Sequence, residues 1–332
     1  MPEISVVIPT LGRPGLLARV LDRLDGQTEP PESFTVIVVA DAAEPDTAAL
    51  DRAVGGRRFR AQRLQSSKPG ASAARNLGWR TARSPIVLFL DDDILPERDL
   101  VREHLAWHRL HPAPETGVLG HVRWADELRV TPFMQWLEDG IQFNYPGIEG
   151  TEADWGWFYT ANVSVKTEIL GRARGFEEDR LPFGYEDLDL ALRMREFGFS
   201  LLYNRAAVAE HVHPMDLGFW RQRVARIARS EREFTKMHPE VRPYFYEMFT
   251  AAAAQRRALG WGDRVTPFVP RSVPLIGPLA WASAGALYRQ RLAGPFLEAW
   301  HAAAAEDQSD ALSGALESDD FSASGSRPGG PK

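Results

Sequence analysis

The chain has 332 residues, 44% of them hydrophobic and 25% charged, with a formal net charge of −6 and no cysteine. Those proportions match ordinary globular proteins and exclude wholesale disorder, a collagen-like repeat, a disulfide scaffold, a cysteine-ligated zinc site and thiol catalysis. A net acidic chain is a poor general nucleic-acid binder, and the length allows one large domain or two smaller ones.

In chain order, Ile4–Pro9 is a β-branched run closed by proline and predicts a buried strand. Leu17, Val20, Leu21 and Leu24 recur at helical spacing over Pro14–Leu24. Thr35–Val39 predicts a second buried strand and Phe59–Leu64 a weaker third. Gly70–Ala82 is small and helical, with Ala71, Ala74, Leu77 and Gly78 on a close-packing face. Pro85–Leu90 is the strongest strand and runs straight into Asp91-Asp92-Asp93. Buried strands separated by helix-length segments predict a mostly parallel sheet covered by helices. Ligands of such sheets bind beyond the carboxyl ends of the strands, so Asp41 and the Asp91–Asp93 triplet belong on one rim.

Glu97–Leu110 predicts a helix, Val118–Trp124 a strand, Phe158–Val165 a strand and Glu186–Phe197 a helix. Leu201–Tyr203 and Ala207–Ala209 read as short strands leading to His211-Val212-His213-Pro214. The composition changes near Asp216. Trp220–Met237 is a helix carrying Arg223, Arg226, Arg229 and Arg232 at intervals of three. That stripe predicts either pairing with acids or contact with an anionic acceptor. From Glu306 onward six acids face two bases in a Ser- and Gly-rich stretch, the composition of a disordered tail.

The apolar run at the start lacks the basic residues of a secretory signal. Ser272–Tyr288 carries no charge, but Pro274 and Pro278 interrupt it and it is short for a bilayer span. It reads as buried helix plus turn, with peripheral contact at the inner face of a membrane as the alternative. A cytoplasmic setting is the expectation.

Four features carry chemistry. Three adjacent carboxylates after an apolar strand repel one another unless a cation joins them. On extended chain Asp91 and Asp93 share a face and would suit Mg²⁺ or Mn²⁺ held jointly with phosphate oxygens; a solvated turn is the competing reading. Gly184-Tyr185-Glu186-Asp187 opens a helix, whose N-terminus favours ionised carboxylates. It predicts a cap, or a general base that takes a proton from an attacking hydroxyl. His211 and His213, two apart, predict a metal-ligating pair or a structural one. Lys68–Gly78 offers close backbone approach and Arg75 for a phosphate; its alternative is tight helix–sheet packing, with Arg75 paired to a structural acid.

The order of these features resembles the nucleotide-diphospho-sugar glycosyltransferases of the GT-A fold, family 2 in particular, which are inverting enzymes. The matching residues are Val6–Thr10, Asp41, Ala73–Gly78, Phe89–Asp93, Thr160–Val165, Gly184–Leu190 and His211–Pro214, over roughly residues 3–215. The resemblance implies an α/β GT-A domain over 1–215, with a Rossmann-like mixed sheet flanked by helices. A helical extension would follow over 216–304 and a disordered acidic tail over 305–332.

The resemblance further implies metal-dependent transfer from a nucleotide-diphosphate sugar, a UDP-sugar first, to a hydroxyl of a glycan, lipid-linked or small-molecule acceptor. Pro9, Thr10, Arg13, Asp41, Arg75, Asp91 and Asp92 would contact the nucleotide, with Asp41 at the base. Asp91, Asp93, His213 and His211 would hold Mn²⁺ or Mg²⁺. Asp187 would be the catalytic base, and Glu186 would help position the acceptor. Separately, Trp155 and Trp157, whose faces suit a sugar ring, are read with Asn162 as the acceptor site, with core or lid packing as the alternative. Ala40-Asp41-Ala42-Ala43 departs from the family's usual Asp-Asp-Gly-Ser. An inactive carbohydrate-binding homologue, a retaining transferase and a sugar-phosphate nucleotidyltransferase are the alternatives. For the last, only Gly12-Arg13-Pro14-Gly15 resembles the required phosphate loop.

Overall fold

The computed structural model describes residues 1–138, 140–255, 269, 273 and 275–323, with side chains as far as residue 309. The chain divides into two compact units, Met1–Asp216 and Leu217–Lys332.

The first unit starts with β1 (Ile4–Thr10), α1 (Pro14–Asp25) and β2 (Phe34–Ala40). Leu17, Val20, Leu21 and Leu24, the face predicted for α1, are buried. Pro14 opens that helix, where its fixed φ is pre-organised and its missing N–H costs nothing. A helix that periodicity did not predict, α2 (Thr47–Val54), follows, its N-terminus held by Asp46 accepting from Ala49 N at 2.9 Å. Then come β3 (Arg60–Gln65), α3 (Ala71–Thr81), β4 (Ile86–Leu90) and the short β5 (Ile94–Pro96). A Cβ on Gly78 would lie 2.3 Å from Val7 Cγ1, so glycine lets α3 lie directly on β1.

The remainder of the unit is α4 (Leu100–Leu110), β6 (Thr116–Trp124), α5 (Pro132–Glu138), β7 (Glu152–Ala153), β8 (Asn162–Lys166), α6 (Thr167–Arg172), α7 (Glu186–Arg195) and β9 (Ser200–His211). Residues 155–157, on the approach to the strand expected from Phe158, form a 3₁₀ turn, and β8 begins only at Asn162. The two short strands expected before His211 are one strand. Its pairing with β6 passes from Gly120↔Asn204 to His121↔Val208, so residues 205–207 bulge out and interrupt the apolar pattern.

The sheet order is β3-β2-β1-β4-β8-β6-β9-β5, with β7 on β9. β1, β2, β3 and β4 are parallel neighbours, β8 is antiparallel to β4 and β6, and β9 is parallel to β6. The carboxyl ends of β1, β2, β4, β6 and β9 therefore share one rim. The chain winds outward from β1 to β3 and then returns across β1 to β4. The crevice at this reversal, outside β1 and β4, is where such sheets bind ligands.

The second unit contains α8 (Leu217–Met237), α9 (Tyr244–Ala254) and α10 (Ile276–Ala323). Phe249, Phe296 and Trp300 form its aromatic core, and the buried Glu231 accepts from Phe245 N and Tyr246 N at 2.7 and 2.8 Å, capping α9. The expectation of disorder from residue 305 is corrected as far as Ala323, because α10 continues through it. The Ala302–Ala305 run favours helix, and Glu306 and Asp307 are neutralised by Arg229, Arg232 and Lys236 at 2.8, 2.8 and 2.6 Å. Two members of the arginine stripe thus pair with acids. Residues 324–332 of the expected tail, and part of Ser272–Tyr288, lie outside the described residues. Among the described residues no helix is long and apolar enough to cross a membrane.

Candidate active site

Everything singled out on the rim belongs to the first unit. Thr10, at the end of β1, donates its hydroxyl to Asp92 Oδ2 at 2.7 Å. Arg13, in the loop before α1, donates to Asp92 and to Asp93 Oδ2, the latter at 2.5 Å. Burial raises the Asp92 carboxyl to about 7 in spite of Arg13. The extended geometry expected for the triplet is corrected: Ile94 N donates to Asp91 O at 3.2 Å and closes a turn. Asp91 consequently faces Arg75, which donates to its Oδ1 at 2.8 Å, while Asp93 faces elsewhere.

Asp93 meets the histidines because β5, which starts one residue later, pairs antiparallel with the end of β9, Ile94 opposite His211. Val212 N donates to Asp93 O at 3.0 Å. Burial opposes ionisation of Asp93, yet His211, Arg13 and His213 together hold its carboxyl below the usual range. The two imidazole rings are 6.4 Å apart. A carboxylate oxygen beside imidazole nitrogens is a donor set suited to Mn²⁺, and Mg²⁺ would use the carboxylate. Among the described residues no three His, Asp or Glu groups converge on one point. A cation held here would therefore complete its shell from phosphate oxygens and water, which is how such ions bind nucleotide diphosphates. The set fits on those terms only with Asp93 and one neighbouring histidine as the groups that would hold the ion, Asp91 being turned aside toward Arg75.

The second acid cluster opens α7. Gly184 and Tyr185 both have positive φ, 78° and 65°; for tyrosine this is an uncommon, strained conformation. It swings the chain so that Glu186 and Asp187 stand in the first helical turn. Arg75 spans the distance to the acid turn: buried in α3, it donates to Glu186 Oε1 at 2.9 Å as well as to Asp91. The expected lowering of Asp187 by the helix N-terminus is corrected. Burial and the neighbouring Glu186 raise its carboxyl to about 7, against the pull of Arg75 and the Leu188 N–H it accepts at 2.9 Å. Asp187 as a residue is partly exposed, while its carboxyl sits in a buried environment.

Other expected contacts are placed differently. Asp41 is buried, with Oδ1 accepting from Ala43 N at 2.9 Å and Oδ2 from Gly70 N at 2.6 Å. Oδ1 thus holds its own loop after β2, and Oδ2 the chain that leads into α3, where Gly70, at φ 104°, approaches Pro182 too closely for any Cβ. Asn162 is fully buried; its Oδ1 meets His104 Nε2 at 2.9 Å and its Nδ2 donates to Ala207 O at 2.9 Å. Ser164 links His104 and His108 into the same network, at 2.8 Å from each. Asn162 therefore holds the sheet to α4. Trp155 lines a cavity with Arg195, Phe199 and Leu201, at the far end of α7 and the start of β9; Arg195 is about 12 Å along the helix from Asp187. Trp157, half-buried, donates Nε1 to Asn144 O at 2.8 Å.

The aromatic wall beside the histidines comes from other residues. His211 lies 5.1 Å from the Trp124 ring and 5.8 Å from Phe143, and Phe143 also meets Tyr145 and Tyr159. Glu44 is a further residue the sequence reading missed. It accepts from Gly12 N at 2.6 Å and Asp46 N at 3.0 Å, fixing the loop that carries Arg13. Its only signal in the sequence is an acid between Ala43 and Pro45.

A sequence profile described as "Glycosyl transferase family 2" matches residues 5–171. The validoxylamine A glucosyltransferase of Streptomyces hygroscopicus subsp. limoneus is 29% identical over 279 residues, covering 74% of this chain and 59% of that protein. The pre-mycofactocin glycosyltransferase of Mycobacterium tuberculosis is 26% identical over 241 residues, covering 72% of this chain and 48% of that protein. The chain thus spans about three fifths or less of the length of these relatives. The fold is similar to that of Staphylococcus aureus TarS 1–349, with a TM-score of 0.54 at 15% identity, covering 91% of this chain and 90% of that one. It is similar also to the mannosyltransferase PcManGT from Pyrobaculum calidifontis, solved with GDP-Man and Mn²⁺, with a TM-score of 0.54 at 19% identity, covering 94% and 80%. The mixed sheet is accordingly the GT-A fold, and with half its length matched by the profile the chain belongs to glycosyl transferase family 2.

Proposed function

We propose that the protein is an inverting, divalent-metal-dependent glycosyltransferase that moves a sugar from a nucleotide diphosphate to a hydroxyl acceptor. The observation that carries the reading is Asp187: a carboxyl raised to about 7 by burial, on a partly exposed residue, linked through Glu186 and Arg75 to the acid turn at the β1/β4 crevice. A base with a pKa near the working pH is ionised often enough to act and basic enough to accept a proton.

The nucleotide diphosphate lies over the crevice, with Thr10, Arg13 and the acid turn beneath it. Asp93 with one of the neighbouring histidines would hold a divalent ion, which would supply positive charge against the leaving diphosphate. Arg13, whose guanidinium is partly exposed, presents a planar fork suited to a phosphate. Asp187 takes the proton of the acceptor hydroxyl as its oxygen bonds to the anomeric carbon and the carbon–phosphate oxygen bond breaks on the opposite side. Glu186, held by Arg75, keeps Asp187 oriented and its basicity raised. Tyr159, partly exposed at the edge of the buried Trp124 and Phe143, offers an aromatic face to a sugar ring.

The 29% identical relative is named for glucosyl transfer to validoxylamine A. A UDP-glucose donor with validoxylamine A is therefore the first pair to assay, before lipid-linked and polymeric glycan acceptors. The test is calorimetric titration of UDP, GDP and dTDP with and without Mn²⁺, followed by NMR of the product anomer. Metal-dependent binding of one nucleotide and an inverted anomer are expected. No binding under any condition moves the reading to a non-catalytic homologue, and release of pyrophosphate from a nucleoside triphosphate moves it to a nucleotidyltransferase.

A further inference from the structure

Two buried carboxylates at the crevice share one guanidinium that stands between them and solvent. The side chains of Asp92 and Asp93 are 1% and 12% exposed, whereas that of Arg13 is 38% exposed. Both oxygens that face the loop are taken, Asp92 Oδ1 and Asp93 Oδ2. A doubly charged ion drawn to Asp93 would compete with Arg13 for Oδ2 and would meet the guanidinium's like charge beside it. The Arg13 side chain can move without disturbing the core. Leu11 is exposed, nothing lies within 4 Å of a Cβ placed on Gly12, and Arg13 already has an open side from which to swing into water. Glu44 anchors the Gly12 backbone, so the exchange belongs to the Arg13 side chain and leaves the loop in place.

We propose that Arg13 is a resident counter-ion of the acid turn and that a divalent cation replaces it when a nucleotide diphosphate binds. This inference rests on the functional reading above. Without the nucleotide, a cation must evict Arg13 and leave the guanidinium unpaired. With the diphosphate present, Arg13 moves from the carboxylates to the phosphate and remains compensated. Metal and nucleotide therefore strengthen one another's binding, and by linkage the factor is the same in both directions. Arg13 acts as a positioning residue for the ion rather than as a catalytic group.

The test is Mn²⁺ calorimetry on the full chain, alone and with saturating UDP or GDP, for the unaltered protein, Arg13→Met and Arg13→Lys. Arg13→Met is expected to bind Mn²⁺ alone at least about tenfold more tightly than the unaltered protein and to lose most of the mutual strengthening. Arg13→Lys, which keeps the charge without the two-pronged geometry, is expected to fall between. Thermal unfolding checks that each variant is folded; should Arg13→Met fail to fold, the lysine variant carries the test. Unchanged Mn²⁺ affinity in a folded variant overturns the proposal, as does weaker nucleotide binding with no gain in Mn²⁺ affinity. If the unaltered protein binds a nucleotide only with Mn²⁺ and Asp93→Asn abolishes it, the functional reading stands whatever Arg13 does. If no metal or nucleotide binds to any form, both fall.

Discussion

The acid turn after β4 and the start of α7 each present buried carboxylates to the same rim, yet their environments push them apart. Asp93 sits under Arg13 beside His211 and His213 and stays ionised. Asp187 sits beside Glu186 in a partly closed place and titrates at about 7. One acid is arranged to hold positive charge, the other to take up a proton. Pairs of titratable groups driven apart in this way are what separates the roles of like residues in an active site. Arg75 is the physical link, since it bonds Asp91 of one cluster and Glu186 of the other.

The largest expected effect breaks the comparison on the α7 side. Asp187→Asn is expected to lower kcat by about 10³ while leaving Mn²⁺-assisted nucleotide binding intact, because a positioned base contributes on that scale. Loss of binding together with transfer would make Asp187 a structural cap. On the other side, Asp93→Asn is expected to weaken Mn²⁺ binding by at least about tenfold, since even residues behind the ligands cost that much. Calorimetry that shows full metal-dependent binding in that variant would remove Asp93 from the ion site.

The pH dependence sharpens the contrast. Asp187 must be ionised to accept a proton, so kcat is expected to fall about tenfold per pH unit below a limb near pH 7. A flat profile between pH 5 and 8, measured with the protein folded throughout, would contradict that assignment. The smallest effect concerns stability. An acid whose carboxyl is raised in the folded state favours folding at low pH and loses that contribution as pH rises through the folded value. At pH 8 the ionised Asp187 therefore opposes folding, and Asp187→Asn is expected to raise stability there by about 1 kcal/mol or more, the gain shrinking toward pH 5. A variant that denaturant titration finds less stable at pH 8 would contradict the burial argument.

Much of this arrangement was legible in the residues. The apolar runs of β1, β2 and β4, the spacing in α1 and the small face of α3 each predicted their element, because strands covered on both faces and helices on a sheet have little freedom in composition. The acid triplet, Glu186-Asp187 and the His211/His213 pair were visible as groups. Their partners were not. His104 and His108, four apart on α4, look no different in sequence from a ligand pair, yet burial lowers them to about 4 and about 3, so they stay neutral, tied to Ser164 and Asn162. Asn162 and Trp155 looked like acceptor contacts, and packing placed one in the core and the other at the far end of α7.

By itself, then, the sequence determined which segments must be buried strands, which faces of the helices meet the sheet, and that Asp41 and the Asp91–Asp93 triplet end up on one rim. Those follow from local apolar patterning and from the rule that a parallel sheet gathers its carboxyl ends. Tertiary structure alone decided which charge faces which. The turn at Asp91, the left-handed Tyr185 and the pairing of β5 with β9 set the directions in which side chains point. Burial then decided that Arg13 would cover Asp93 while Asp187 would be left to titrate.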